Sequence, residues 1–234
     1  MNLFEAVTGK VTRMSNVTRY SSFPTIRKEN VAEHSWWVAF IGYLIAEDMR
    51  IAGFQIDLAD VLRKAIVHDL SECMSGDIIR SYKHTNTRVL DAMEEADEEH
   101  MELMVKEFGS VDDVCFDDWM TSKSDKIEGE IVRFADMATV IFYCRTERQL
   151  GNAGIDVVLK EVYESWFHKF HDHPDLKVYA DQMFPYRHWS DPYMGLNLRF
   201  TEHVKTRPLL GDHSEGPVSP LGIDGGPIKG VPLS

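Results

Sequence analysis

The chain is expected to be an all-α protein, on three observations. Apolar residues recur at helical spacing along most of the chain up to Phe170. No convincing period-two alternation marks a strand. Helix-starting Asn30 and Asp57 precede such stretches, and Gly53, Gly109 and Gly151 follow them. The first helix starts after Asn30 and runs through VAEHSWWVAFIGYLIAEDM, with Val31, Ser35, Val38, Ile41 and Ile45 near one face. Asp57 opens LADVLRKAIVHDLSECM, whose apolar stripe is Leu58, Val61, Leu62, Ala65 and Ile66. A third helix, from about Thr87 to Phe108, is strongly acidic and solvated on one side. The segment VDDVCFDDW is too short and too acidic to assign. KIEGEIVRFADMATVIFYCRTERQL predicts a largely buried helix that stops at Gly151, and DVVLKEVYESWFHKF predicts the last clear one. Beyond Arg207 lie five of the nine prolines and six of the fifteen glycines. The expected organisation is therefore one helical domain over 1–206 and a flexible Pro/Gly-rich tail over 207–234.

Composition excludes several function classes. With 234 residues, 44% hydrophobic and 27% charged, the chain suits a soluble globular body with one sizeable core. A net charge of -13 argues against a nucleic-acid surface, since phosphates repel such a field. A small anionic substrate is still allowed where Arg, Lys and a metal reverse the field locally. Three widely spaced cysteines without a CxxC pair suggest reduced thiols and a cytoplasmic setting. The opening MNLFEAVTGKVTR lacks a signal-peptide pattern, and no apolar run reaches membrane-spanning length.

Chemistry concentrates in KAIVHDLSECMSGD. His68 and Asp69 sit side by side at the end of an apolar stretch, and Glu72 follows one helical turn on. Burying three ionisable groups beside aliphatic residues is costly unless something pairs with them, and a divalent cation is the usual partner. Two more polar residues interrupt apolar helices, His34 and Asp136. Alone, His34 reads as a hydrogen-bonded core histidine, and Asp136 as the partner of Arg133 or of a neighbouring helix. Together, two His and two Asp from three helices make a mixed nitrogen and oxygen site with room for water. Such ligands suit zinc, manganese, cobalt or iron better than calcium. One divalent ion is expected, Mn, Co, Zn or Mg. A second His-Asp doublet, at His171-Asp172 with His168 and His173, is followed by Pro174 and reads as a helix end. His84 and His100 lie in polar contexts and are not expected to hold a second ion.

The order H…HD…D resembles that of the HD-domain phosphohydrolases. The finer pattern is similar to the YfbR-like 5'-deoxynucleotidases: Arg19 fifteen residues before His34, RKENVAEHS around His34, HDLSECMSGD from His68 to Asp77, and FAD ending at Asp136. The similarity spans roughly Arg19 to Tyr143. It implies a compact HD-domain helical bundle, with His34, His68, Asp69 and Asp136 as metal ligands. It makes Asp69 and Glu72 the catalytic pair, with Glu72 orienting the attacking water and managing its proton. It makes Arg19 the phosphate clamp, places Asp77 at the sugar 3'-hydroxyl and sets Lys83 near the phosphate. It also implies a nucleotide substrate and a homodimer. Relatives carry Trp after the clamp arginine, crowding the 2'-position; here Tyr20 stands there, followed by Ser21-Ser22, which narrows the expected deoxy selectivity. The leading function is release of phosphate from deoxynucleoside 5'-monophosphates. A rival keeps the site and removes triphosphate from deoxynucleoside triphosphates, which would require further cations such as Arg80 or Lys28. A reading of another class is a catalytically lapsed nucleotide-binding or scaffold protein, against which intact ligands and Glu72 argue.

Overall fold

A computed structural model describes residues 8–78, 80–83 and 86–184, apart from the side chains of 80, 81 and 110. The tail from 207 on and its boundary lie outside the described residues. The described elements are helices: α1 Val31–Ile51, α2 Leu58–Val67, α3 Glu72–Ser75, α4 Arg80–Lys83, α5 Thr87–Val105, α6 Asp112–Met120, α7 Ile127–Gln149, α8 Asp156–Phe170 and α9 Lys177–Met183, with short 3-10 turns between some of them. No β-strand occurs among the described residues; a single antiparallel bridge joins Thr18 to Asn30. No described helix is long and apolar enough to cross a membrane.

α1 begins where its sequence says it should. The Asn30 side chain accepts from the Glu33 N–H at 2.9 Å, and Glu33 accepts from the Asn30 N–H at 3.2 Å. This reciprocal capping box satisfies two backbone donors that the first turn leaves unpaired. All five residues of the expected face, Val31, Ser35, Val38, Ile41 and Ile45, are buried. Asp57 caps α2 through the Asp60 N–H.

Four expectations need correction. The second helix does not run on to Met74: α2 ends at Val67 and α3 starts at Glu72. The His68 ring donates from Nδ1 to the Ala65 carbonyl at 2.8 Å, competing with the helical ladder at that point. Tighter i to i+3 bonds follow at Leu70, Glu72 and Cys73. In α2 the buried face includes Lys64, whereas Ile66 is exposed; Lys64 is admitted because its ammonium pairs with Asp60 at 2.6 Å. α5 stops at Val105, short of Phe108, and gives way to a 3-10 turn in which Gly109 adopts a positive φ of 66°. VDDVCFDDW is helical as α6, held partly by Arg63 on Asp118 at 3.1 Å.

Two hydrophobic clusters result. The larger unites α1, α2, α7, α8 and α9, with Val38, Ala65, Phe134, Ala138, Trp166 and Phe170 among its members. The smaller gathers Met14, Val31, Leu70, Cys73, Met101, Met104 and Val105. His34 lies one turn from Val31 in the small cluster and from Val38 in the large one. His68 and Asp69 fall between Ala65 and Leu70, again one from each. The polar residues therefore sit on the seam between the two clusters.

Candidate active site

Four side chains from three places in the fold converge on this seam. His34 comes from α1, His68 and Asp69 from the turn after α2, and Asp136 from the middle of α7. One ligand atom from each lies within 4.8 Å of all the others. His34 Nε2 is 3.0 Å from Asp136 Oδ1 and 3.4 Å from Asp69 Oδ2, and His68 Nε2 is 3.1 Å from Asp69 Oδ2.

The donor set fits a divalent cation on hydrogen-bonding grounds. Thr139 donates its hydroxyl to the Asp136 carbonyl at 2.6 Å, so its oxygen accepts from His34 Nδ1 at 3.0 Å. His68 Nδ1 is likewise committed to the Ala65 carbonyl. Both rings thus turn Nε2 toward the cluster with the lone pair free, the tautomer that binds metal. Two imidazole lone pairs and two carboxylates then face one another as acceptors. Such a gathering needs a proton or a cation at its centre. A proton can take that place: burial and Arg19 push the His34 pKa down, yet hydrogen bonding to the Asp136 and Asp69 carboxylates, which accept, leaves it raised. Burial opposes ionisation of Asp136 and Asp69, but Lys123 and His34 hold the first well below the usual carboxylate range, and His68 and Lys123 hold the second there.

Lys123 is the residue that sequence reasoning missed. Its ammonium lies 2.7 Å from Asp136 Oδ2 and 3.6 Å from Asp69 Oδ1. Arg133, the partner considered for Asp136, instead bonds Glu130 and the Lys123 carbonyl. No local pattern in TSKSDK marks Lys123, because only the path of the loop before α7 brings it here. That loop rests on Gly129, where an added Cβ would stand 2.5 Å from the Ser124 carbonyl oxygen.

Glu72 opens α3 and is buried beside the cluster, with Oε2 lacking a hydrogen-bond partner among the described residues. Burial and the adjacent Asp69 charge raise its pKa well above the ordinary value, while Arg19 acts the other way. A cavity of about 320 Å³ opens over these groups, lined by His68, Asp69, Glu72, Lys83, Trp119 and Lys123 among others. The expected Lys83 therefore faces the same cavity as Glu72.

Arg19 is buried and anchored. Its backbone N–H donates to the Glu29 carbonyl at 2.9 Å, and its guanidinium pairs with the Glu29 carboxylate at 3.0 Å. Burial alone would lower its pKa, but Tyr20, Glu29, Asp69 and Glu72 together leave it raised. Its Nε has no hydrogen-bond partner among the described residues. The motif RKENVAEHS thus divides its labour: Glu29 holds Arg19, Asn30 and Glu33 cap α1, and His34 enters the cluster.

Tyr20 takes a positive φ of 57° and stacks on Tyr143, ring centroids 4.5 Å apart and 9° from parallel. Its N–H donates to Asp77 Oδ2 at 2.7 Å, tying the segment around Arg19 to the end of HDLSECMSGD. Its hydroxyl is buried without a hydrogen-bond partner among the described residues. Lys28 is exposed and bonds Thr25, and the Arg80 side chain and His84 lie outside the described residues. His100 is exposed. The second His-Asp doublet ends α8, where His173 Nδ1 accepts from the N–H groups of Asp175 and Leu176.

The fold and the H…HD…D cluster match the HD-domain architecture. Solved structures share the architecture. An HD-domain phosphohydrolase from Listeria innocua matches with a TM-score of 0.69 at 19% identity, covering 78% of this chain and 88% of that one. The cyanophage S-2L HD phosphohydrolase DatZ, solved with dA and one catalytic Zn2+ ion, matches at 0.55 and 17% identity over 73% of this chain and 90% of that one. Within that class, the profile described as "5'-deoxynucleotidase YfbR-like" matches residues 7–186, and the chain belongs to the YfbR-like family. A 5'-deoxynucleotidase of Shewanella oneidensis is 26% identical over 180 residues, 74% of this chain and 89% of the relative. One of Pectobacterium atrosepticum is 26% identical over 149 residues, 61% of this chain and 73% of the relative. The protein is a hydrolase.

Proposed function

We propose that the protein is a metal-dependent phosphohydrolase that releases inorganic phosphate from deoxynucleoside 5'-monophosphates. The observation that carries this reading is the convergence of four acceptor atoms beside a cavity lined by His68, Asp69 and the buried Glu72, whose Oε2 has no hydrogen-bond partner among the described residues. His34, His68, Asp69 and Asp136 would hold one divalent ion, Mn, Co, Zn or Mg. When bound, it would supply Lewis acidity toward a phosphoryl oxygen and lower the pKa of a water from ~15.7 to near ~7. Glu72 orients the attacking water and accepts its proton, a role that suits a carboxylate whose pKa burial has raised. Arg19 and Lys83 supply positive charge to the phosphate, and Asp77 stands beside Tyr20 where the resemblance places the sugar. The names of the relatives support the monophosphate class.

The cavity lining favours one phosphate over three. Glu94 and Asp97 of α5 also line it, and a polyphosphate chain extending there would meet two carboxylates. The intact ligand set and Glu72 weigh against a lapsed scaffold. The three free cysteines support a reducing, cytoplasmic setting. The exposed aromatic face of α1 supports a homodimer. A single helical domain over 1–206 remains part of this proposal.

The test is a panel of nucleoside mono- and triphosphates with Mn, Co, Zn and Mg, run beside Asp69→Ala. Phosphate release from deoxynucleoside monophosphates is expected, with both bound metal and turnover lost in the variant. Stoichiometric metal with wild-type rates in Asp69→Ala would overturn the site. Release of inorganic triphosphate from deoxynucleoside triphosphates, without turnover of the monophosphates, would overturn the substrate class alone.

A further inference from the structure

We infer that Lys123 is a phosphate-binding residue of this site, a second ammonium beside Lys83 that grips the substrate's phosphoryl oxygens above the two aspartates. The inference rests on the phosphohydrolase reading and adds a residue to it.

The geometry separates Lys123 from the ligand cluster while keeping it adjacent. Asp136 and Asp69 each divide their oxygens. Asp136 Oδ1 and Asp69 Oδ2 face the histidine Nε2 atoms, whereas Asp136 Oδ2 and Asp69 Oδ1 face the ammonium. Lys123 therefore engages the outer oxygens and leaves the inner ones to a cation. An ammonium carries three N–H donors; Asp136 lies within hydrogen-bond reach at 2.7 Å and Asp69 only at ion-pair distance, 3.6 Å, so a further N–H can reach a ligand. The side chain is 39% exposed and belongs to the lining of the cavity that holds Glu72 and Lys83. A phosphoryl group drawn to the cluster through that cavity meets the ammonium at its edge.

The loop is built to hold the lysine there. Arg133 binds the Lys123 carbonyl, Ser122 and Ser124 close turns onto Trp119 and Thr121, and Gly129 gives the loop its close approach to α7. Electrostatics give the residue work to do. Asp69, Glu72, Glu94 and Asp97 outnumber the two lysines in the lining, so each ammonium counts toward accepting a dianion. A lysine whose only work was to neutralise aspartates would need no opening to the cavity.

The experiment compares wild type with Lys123→Gln and Lys123→Arg, all checked for native melting. Divalent-metal affinity is measured by chelator competition, and inorganic phosphate affinity of the metal-loaded proteins by calorimetry. Lys123→Gln should weaken phosphate binding about tenfold or more, the usual scale for a lost charged hydrogen bond. Its metal affinity should be unchanged or tighter, because a repelling cation has gone. Lys123→Arg should restore most of the phosphate binding. Unchanged phosphate affinity in Lys123→Gln overturns the inference, leaving the lysine as a counter-ion. Weakened metal binding overturns it too, because the lysine would then be positioning the ligands. Should Lys123→Gln melt early, the neutral and near-isosteric Lys123→Met decides: phosphate affinity weakened about tenfold at unchanged metal affinity supports the inference, and unchanged phosphate affinity overturns it. Neither failure touches the Asp69→Ala result, so the two readings fall separately.

Discussion

Glu72 and Tyr20 each sit in surroundings that bear on the task proposed for them. Glu72 is buried, short of one hydrogen bond, and beside an ionised aspartate. Glu72→Gln keeps the shape but removes the proton acceptor, so kcat should fall by ~10²–10⁴ while bound metal and KM stay near wild type. Metal analysis beside steady-state kinetics checks this; a variant that loses its metal would make Glu72 a ligand. Tyr20 carries a buried hydroxyl with no partner among the described residues while its ring rests on Tyr143. An apolar wall rejects an added hydroxyl only modestly, often by about 10²-fold, and tyrosine fills less space than tryptophan. Deoxyribonucleotides should be preferred, and Tyr20→Trp should widen the ratio of kcat/KM for dAMP over AMP. Equal ratios in both proteins would mean that the ring does not face the sugar.

At the scale of elements, the loop carrying Arg19 is fastened to α7 by a carboxylate that no motif advertises. Glu147, fully buried near the end of α7, accepts from the N–H of Ile26 at 2.8 Å, that of Arg27 at 2.7 Å and Asn152 Nδ2 at 2.7 Å. Burial acts to raise its pKa, but these donors win and hold it below the ordinary value. Glu147→Gln would turn an amide toward backbone donors and should cost about 2 kcal/mol or more in urea unfolding. The pH dependence follows from the direction of the shift. Its stabilisation is complete above the unfolded carboxylate value of about 4.3 and is lost as pH falls through the lower folded value. The stability gap between wild type and Glu147→Gln should therefore be flat near neutrality and close in acid; a gap that persists unchanged at pH 3 would refute the clamp.

For the whole molecule, the outer face of α1 is the feature the described fold leaves unused. Trp36, Trp37, Phe40, Tyr43 and Leu44 are all exposed, Trp36 at 57%. Trp36 and Phe40 stack at 5.4 Å, forming a continuous aromatic surface opposite the His34 face. Contiguous apolar patches of this kind mark interaction surfaces more often than free solvent contact. Light scattering at micromolar concentration should report a homodimer, and Trp36→Glu with Phe40→Glu should yield a folded monomer. A wild-type monomer at that concentration would dispose of the dimer.

Periodicity and capping made the helices legible in the chain, because each depends on residues within a turn or two. The Asn30–Glu33 box, the buried face of α1 and the span of α8 all follow from local spacing. The metal-ligand candidates were legible for a related reason: His34, the His68-Asp69 doublet and Asp136 are polar groups set in apolar helices, and burial makes each one conspicuous. What spacing could not decide is whatever depends on how distant segments meet. Lys123 and Glu147 have ordinary neighbours in sequence and acquire their partners only through packing against α7. Local free energy is written in neighbouring residues, whereas the field at a buried charge is the sum over everything the fold brings near it.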